Sequence, residues 1–290
     1  MTNDSAPAVR VRGLTKRYGP TTAVEGLDLD IARGEVLALL GPNGAGKTTT
    51  VEVLEGYRRA DAGEVSVLGQ DPAHAGPDWR ARIGIVLQTA NDAAELTVEE
   101  MIRHFAGFYP APRDPEEVIA SVGLESKRRS RVRALSGGQR RRLDVGLGVV
   151  GDPELLFLDE PTTGFDPQAR RQFWGLITAL RSGGTTILLT THYLDEAERL
   201  ADRVAVIANG RLMDVAAPDR LGGREGAQAV VTWTERGGQR TEATSEPTAV
   251  VTRLAARLGG EVPHLQVRRP TLEDVYLSMI GSGQSTEEVA

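Results

Sequence analysis

The chain has 290 residues, 40% hydrophobic and 26% charged, a balance that reads as globular, with length for a large core and a smaller appendage. Its 34 basic and 40 acidic side chains leave a net charge of −6, which argues against a chain built mainly to hold nucleic acid. Cysteine is absent, which removes disulfides, thiolate metal sites and cysteine nucleophiles.

Residues 1–8 are polar and lack the apolar stretch of a signal peptide, so they are expected to be disordered. The longest apolar runs, such as Val36 to Leu40 and Leu155 to Leu158, are strand-sized. A spanning helix needs ~20 apolar residues, so any membrane role is expected to be peripheral.

From Val9 to Ala32 the pattern predicts short strands, with Leu27, Leu29 and Ile31 alternating. Tyr18 precedes the turn pair Gly19-Pro20 and reads either as a half-buried strand aromatic or as a stacking surface for a base. Val36 to Leu40 reads as a buried strand, and Gly41, Pro42, Asn43, Gly44, Ala45, Gly46, Lys47, Thr48 and Thr49 follow at once. Gly, four residues, Gly-Lys-Thr after a strand and before a helix is the phosphate-loop pattern. Glycines let backbone N–H groups turn inward around a phosphate, and the helix adds its positive end. Lys47 can neutralise outer phosphates and the Thr48 hydroxyl can ligate magnesium.

A helix over Thr48 to Tyr57, a strand over Gly63 to Leu68 and a buried strand over Arg82 to Leu87 come next, the last delivering Gln88. Thr97 with Glu100 is a capping-box candidate, and Met101, Ile102, Phe105 and Phe108 keep helical spacing. With a second helix over Asp114 to Val122, this stretch reads as a helical insertion in an alternating strand–helix chain. The arginines between 127 and 142 read as a solvated face or a nucleic-acid patch. Within them Leu135, Ser136, Gly137, Gly138 and Gln139 open another helix, a second candidate anion site. Gly146 and Gly148 each cost that helix ~1 kcal/mol relative to alanine, so it is expected to lean on tertiary packing.

Leu155 to Leu158 is another buried strand and ends in Asp159-Glu160. Two acids there are costly unless a cation or reacting group compensates them. With a phosphate loop upstream, Asp159 is assigned to magnesium and Glu160 to polarising an attacking water. Asp166 sits in the following loop, and His192 follows a strand over Thr185 to Thr190, placed for a terminal phosphate.

Together these motifs resemble the ATP-binding subunit of ABC transporters, over about residues 9–215. The resemblance implies an α/β fold: a P-loop NTPase with a RecA-like core, an antiparallel β subdomain and a helical subdomain near residues 90–148. Leu135 to Gln139 match the family signature, which contacts the ATP of a partner subunit. Tyr18, Gln88, Asp166 and His192 fall at the adenine-stacking aromatic, the lever glutamine that also reaches the metal, the dimer-contact aspartate and the switch histidine. The implied catalytic set is Glu160, His192, Gln88 and Lys47, with magnesium at Thr48, Gln88 and Asp159. One loop and one signature per chain imply a homodimer holding ATP and magnesium between its halves.

Arg140 to Leu143, Pro161 to Gly164, Thr191 to Glu196 and Pro270 to Tyr276 are similar to ATPase subunits of daunorubicin-resistance exporters. That resemblance implies efflux of a drug, antibiotic or lipid-like compound through a separate ABC-2 type permease, with the chain peripheral at the cytoplasmic face of the membrane and no specific nucleic acid. A soluble ABC ATPase acting on nucleic acid or ribosomes, or an importer subunit, are the alternatives. Beyond residue 217 a linker over 218–226, a small α+β domain over 227–281 and a disordered tail over 282–290 are expected.

Overall fold

A computed structural model describes residues 6–86, 95–235 and 237–284. The chain divides between Val215 and Ala216 into two units.

In the first unit, strands β1 (Val9–Tyr18) and β2 (Thr21–Ile31) form an antiparallel hairpin across the Gly19-Pro20 turn. Strand β3 (Val36–Leu40) is wholly buried and leads to helix α1 (Lys47–Leu54). This helix stops short of the expected Tyr57, because Gly56 takes φ +76° and a Cβ there would lie 2.6 Å from the Pro72 carbonyl oxygen. Strand β4 (Ala62–Val67) joins β1 on its other edge and completes a three-stranded antiparallel sheet.

A short helix α2 (Pro77–Arg80) buries Trp79, whose indole N–H donates to the Val67 carbonyl at 2.8 Å. After β5 (Ile83–Val86) come helices α3 (Val98–Ala106), α4 (Pro115–Ser121) and α5 (Gly137–Val149), packed on one another. The capping box at the head of α3 is present: the Glu100 N–H donates to the Thr97 hydroxyl, and the Glu100 carboxylate accepts from the Thr97 N–H at 2.8 Å. Of the two mid-helix glycines of α5, Gly148 has a tertiary reason, whereas a Cβ on Gly146 would make only ordinary contacts at 3.5 Å with Val118 and Val122. A Cβ on Gly148 would lie 2.7 Å from a Val86 methyl, and one on Gly84 would lie 2.1 Å from the Gly148 oxygen, so α5 meets β5 almost backbone to backbone.

The remaining elements are β6 (Leu155–Asp159), α6 (Pro167–Ser182), β7 (Thr186–Thr191), α7 (Leu194–Leu200), β8 (Arg203–Ala208) and β9 (Arg211–Ala216). They complete a six-stranded sheet of order β5-β6-β7-β3-β8-β9, in which the pairs from β5 to β8 are parallel. The C-terminal ends of β3, β6 and β7 therefore lie side by side, which is where open α/β sheets collect their chemistry. Leu37, Leu39, Phe157 and Leu188 of this sheet share one core with Val9, Leu14 and Leu29 of the antiparallel sheet.

The second unit contains a 3-10 segment over Leu221–Gly226, then β10 (Ala229–Glu235), β11 (Gly238–Thr244), helix α8 (Pro247–Leu258), β12 (Gln266–Arg268) and helix α9 (Leu272–Gln284). Its antiparallel sheet, ordered β11-β10-β12, shares a core of Val231, Trp233, Val250, Leu254 and Val262 with α8.

Three expectations about ordering change. The 218–226 stretch is structured rather than linker-like, because Leu221 is buried and a Cβ on Gly222 would lie 2.4 Å from a Val275 methyl. At the N-terminus Ala8 is buried and its carbonyl accepts from the Leu68 N–H at 2.7 Å, so order begins before Val9. At the other end α9 carries the backbone through Gln284, and the rest of the expected tail lies outside the described residues.

Candidate functional site

The phosphate loop runs from the end of β3 to the start of α1. Gly46 caps that helix at φ +103°, and a Cβ there would lie 2.4 Å from the Ala23 carbonyl oxygen. Only glycine fits, and since no side chain caps the helix its first N–H groups remain available to an anion. Asn43, Gly44, Gly46, Lys47, Thr48 and Thr49 line a pocket of about 380 Å³ with Ala23, Asp159 and Glu160. Gly41 and Ala45 are buried, while Pro42 is exposed.

Lys47 is only 7% exposed. Its ammonium donates to the Gly41 oxygen at 2.7 Å and the Pro42 oxygen at 3.1 Å. Burial pushes its pKa down, opposed by the charges of Glu160 and Asp159. A phosphate arriving here would meet a cation that is already desolvated, which strengthens its pull.

The two acids end β6. The Asp159 carboxylate accepts from the Thr190 hydroxyl at 2.5 Å, which orients it towards the pocket. Glu160 takes φ +43°, a left-handed conformation that costs a non-glycine residue about 1–3 kcal/mol. Its N–H donates to the Thr190 carbonyl and hydroxyl oxygens at 3.1 and 3.0 Å, which holds the strained turn. His192, just past β7, places Nδ1 3.3 Å from the Glu160 carboxylate.

Oxygen donors from Thr48 and Asp159 at one pocket suit magnesium. Among the described residues no three His, Asp or Glu side chains converge. An ion here would therefore complete its shell with phosphate oxygens and water.

Other expected site residues lie elsewhere. Ser136 caps α5 in a reciprocal box with Gln139, whose N–H donates to the Ser136 hydroxyl at 3.3 Å. Ser136 and Gly137 are exposed, Leu135, Gly138 and Gln139 are half-buried, and none of the five lines the phosphate-loop pocket. Asp166 caps α6, its carboxylate accepting from the N–H groups of Gln168 and Ala169 at 2.9 and 2.8 Å. Tyr18 is 40% exposed, with the Arg58 guanidinium 5.4 Å from its ring centre. Gln88 lies outside the described residues.

Arg141, read in the sequence as part of a solvated face, is buried instead. It donates from Nη2 to the Asp159 oxygen at 2.6 Å and from Nε to the Pro161 oxygen at 3.1 Å. The signature helix is thus tied to the acidic strand end of its own chain. Arg141, Val145 and Val149 recur every four residues on one helical face, a signal that places this arginine inward. By contrast Arg128 pairs with Glu99 and Glu116, and Arg131 and Arg133 pair with Glu95. Those three are spent on ion pairs rather than offered to a phosphate backbone.

The family model described as ABC transporter matches residues 24–163. A daunorubicin resistance ATP-binding protein of Streptomyces coeruleorubidus is 37% identical over 98% of this chain and 99% of its own length. A Nod factor export ATP-binding protein of Ralstonia nicotianae is 44% identical, covering 75% of this chain and 69% of its own. Among solved structures, a component of an ABC transporter complex from Clostridium perfringens superposes with a TM-score of 0.69 at 27% identity, covering 74% of this chain and 90% of the other. The chain belongs to the ABC transporter family, as an ATP-binding and ATP-hydrolysing subunit.

Proposed function

We propose that two copies of this chain close around ATP and drive export of a drug, antibiotic or lipid-like compound through a separate ABC-2 type permease. One observation carries the reading. The pocket gathers Lys47, Thr48, Asp159 and Glu160 from one chain, while the signature residues Leu135 to Gln139 stay outside it with Ser136 and Gly137 exposed. A phosphate held here has one side left for a second copy's helix N-terminus. The relatives named for daunorubicin resistance and Nod factor export support the direction and the substrate class.

In this reading Lys47 exchanges loop carbonyls for phosphate oxygens, and Thr48 and Asp159 hold magnesium, which supplies charge neutralisation when bound. Glu160 accepts the proton of the attacking water, and His192 holds the terminal phosphate while fixing the Glu160 carboxylate. Tyr18 would stack on the adenine and Asp166 would meet the partner subunit. Gln88 would sense the bound nucleotide.

No helix among the described residues is long and apolar enough to cross a membrane. The chain would therefore sit peripherally, at the cytoplasmic face, held by its permease. The helical segment α3 to α4 offers a docking surface, where Phe108 is 69% exposed and meets His104 and Phe105 edge-on at 5.1 and 6.0 Å.

The test is ATP-dependent transport in inside-out vesicles containing chain and permease. Accumulation of compound in the wild type, abolished by Lys47→Ala together with ATP binding, is expected. Transport that survives that substitution, or ATP-driven movement out of the vesicles, would contradict the proposal.

A further inference from the structure

Behind the hydrolytic pair lies a buried polar node that none of the roles above uses. Glu196, on α7, is fully buried, as is Thr162 in the loop after Glu160. Both Glu196 carboxylate oxygens lack an aligned hydrogen-bond partner, and so do the Thr162 hydroxyl, the Trp174 indole N–H and the Arg170 Nε–H. Thr191, Thr162 and Trp174 nevertheless lie close enough to favour the charged carboxylate, and Arg170 adds its charge, against a burial that pushes the pKa up. From α5 the buried Arg141 also feels the Glu196 charge. Two acceptor atoms thus face donors from the post-β6 loop, from α6 and from the end of β7. A buried acid without aligned partners is expensive. An apolar side chain would serve helix packing better.

Short paths connect this node to both working residues. Thr163, next to Thr162, donates its hydroxyl proton to the Glu160 carboxylate at 3.3 Å. The Thr191 hydroxyl accepts from the Tyr193 N–H at 3.0 Å and so shapes the turn that presents His192. Arg170 lies 4.3 Å over the Tyr193 ring, whose centre is 4.1 Å from that of His192. Its Nη1 also approaches Asp195 at 3.5 Å, which ties α6 to α7.

We propose that Glu196 is a positioning residue for ATP hydrolysis, gathering the Glu160 loop through Thr162 and the His192 turn through Thr191. It touches neither nucleotide nor water and acts only through those two threonines. The inference rests on the ATPase reading above.

The test uses the purified full-length chain and measures ATP affinity, kcat and thermal midpoint for wild type, Glu196→Ala, Glu196→Gln, Thr162→Val and the Glu196→Ala/Thr162→Val double variant. Expected is a kcat about tenfold lower or worse for Glu196→Ala at a temperature where it is fully folded, with ATP affinity within about threefold of wild type. Glu196→Gln, which keeps one acceptor and the packing, should fall between. The double variant should be no slower than the worse single one, since both act through one contact. A kcat for folded Glu196→Ala within about twofold of wild type would overturn the inference, as would an affinity loss that matches the kcat loss, or additive effects. Should Glu196→Ala not fold, Thr162→Val and Trp174→Phe decide, and unchanged kcat in both would overturn it. A wild-type chain without ATP turnover would instead sink the ATPase reading itself.

Discussion

Glu55 stands in a pocket of about 630 Å³ lined also by Glu52, Gly56, Tyr57, Arg80 and Ile85. Burial, helped by the charges of Asp159 and Glu52, pushes its pKa from 4.5 up to about 8. The folded chain keeps this proton up to about pH 8, whereas the unfolded chain releases it near 4.5. Between those values the folded form binds more protons, so stability is fully present below the lower pH and falls as pH rises through the window. The whole gap is worth about 3 to 5 kcal/mol once Glu55 is ionised, the lower figure allowing for water that enters the pocket. Glu55→Gln keeps the shape and removes the charge. Its advantage should be near zero at pH 4.5 and should grow to about 10 °C in the melting temperature of the ATP-binding unit by pH 8.5. Thermal unfolding of both chains by circular dichroism from pH 4.5 to 8.5 measures it. Parallel pH profiles for wild type and Glu55→Gln would refute the reasoning.

Gly46→Ala should weaken ATP binding about tenfold or more, because a Cβ 2.4 Å from the Ala23 oxygen must displace the loop; titration with a fluorescent ATP analogue would show this, and unchanged affinity would contradict it. Arg141→Met should cost about 2–4 kcal/mol in urea unfolding, since it leaves the Asp159 and Pro161 carbonyls without their buried donor. A loss below about 0.5 kcal/mol would mean that the clamp is unimportant.

Much of the core was legible because local chemistry and global position agree. Val36 to Leu40 and Leu155 to Leu158 are uninterrupted apolar runs, and a parallel sheet buried on both faces demands such runs. The strand order is a separate matter: β7 lies between β3 and β6, and their parallel ends bring Asp159 and Glu160 to the same pocket as the loop that begins at Gly41. What escaped depends on contacts far apart in sequence. Gly148 looks like a helix weakness until the Val86 methyl that would lie 2.7 Å from its Cβ is known. Strand β11 carries four exposed residues in a row, Gly238 to Thr241, so no apolar alternation marks it, and only its pairing with β10 makes it a strand. Glu196 sits among the charged residues Asp195, Glu198 and Arg199, and only Ala197 beside it and Leu200 four residues on mark the face that turns inward. The left-handed backbone of Glu160 was invisible.

The account stands or falls on Glu160→Gln in the full-length chain, with ATP hydrolysis, ATP binding and molecular mass measured on the same preparation. The substitution keeps the strained turn and its hydrogen bonds to Thr190 but removes the base. Turnover should fall by about 100-fold or more while ATP still binds. With hydrolysis blocked, ATP-dependent dimers should accumulate. Near-normal turnover, or a monomer that stays monomeric at saturating ATP, would contradict the assignment of Glu160 and the closed pair built around it.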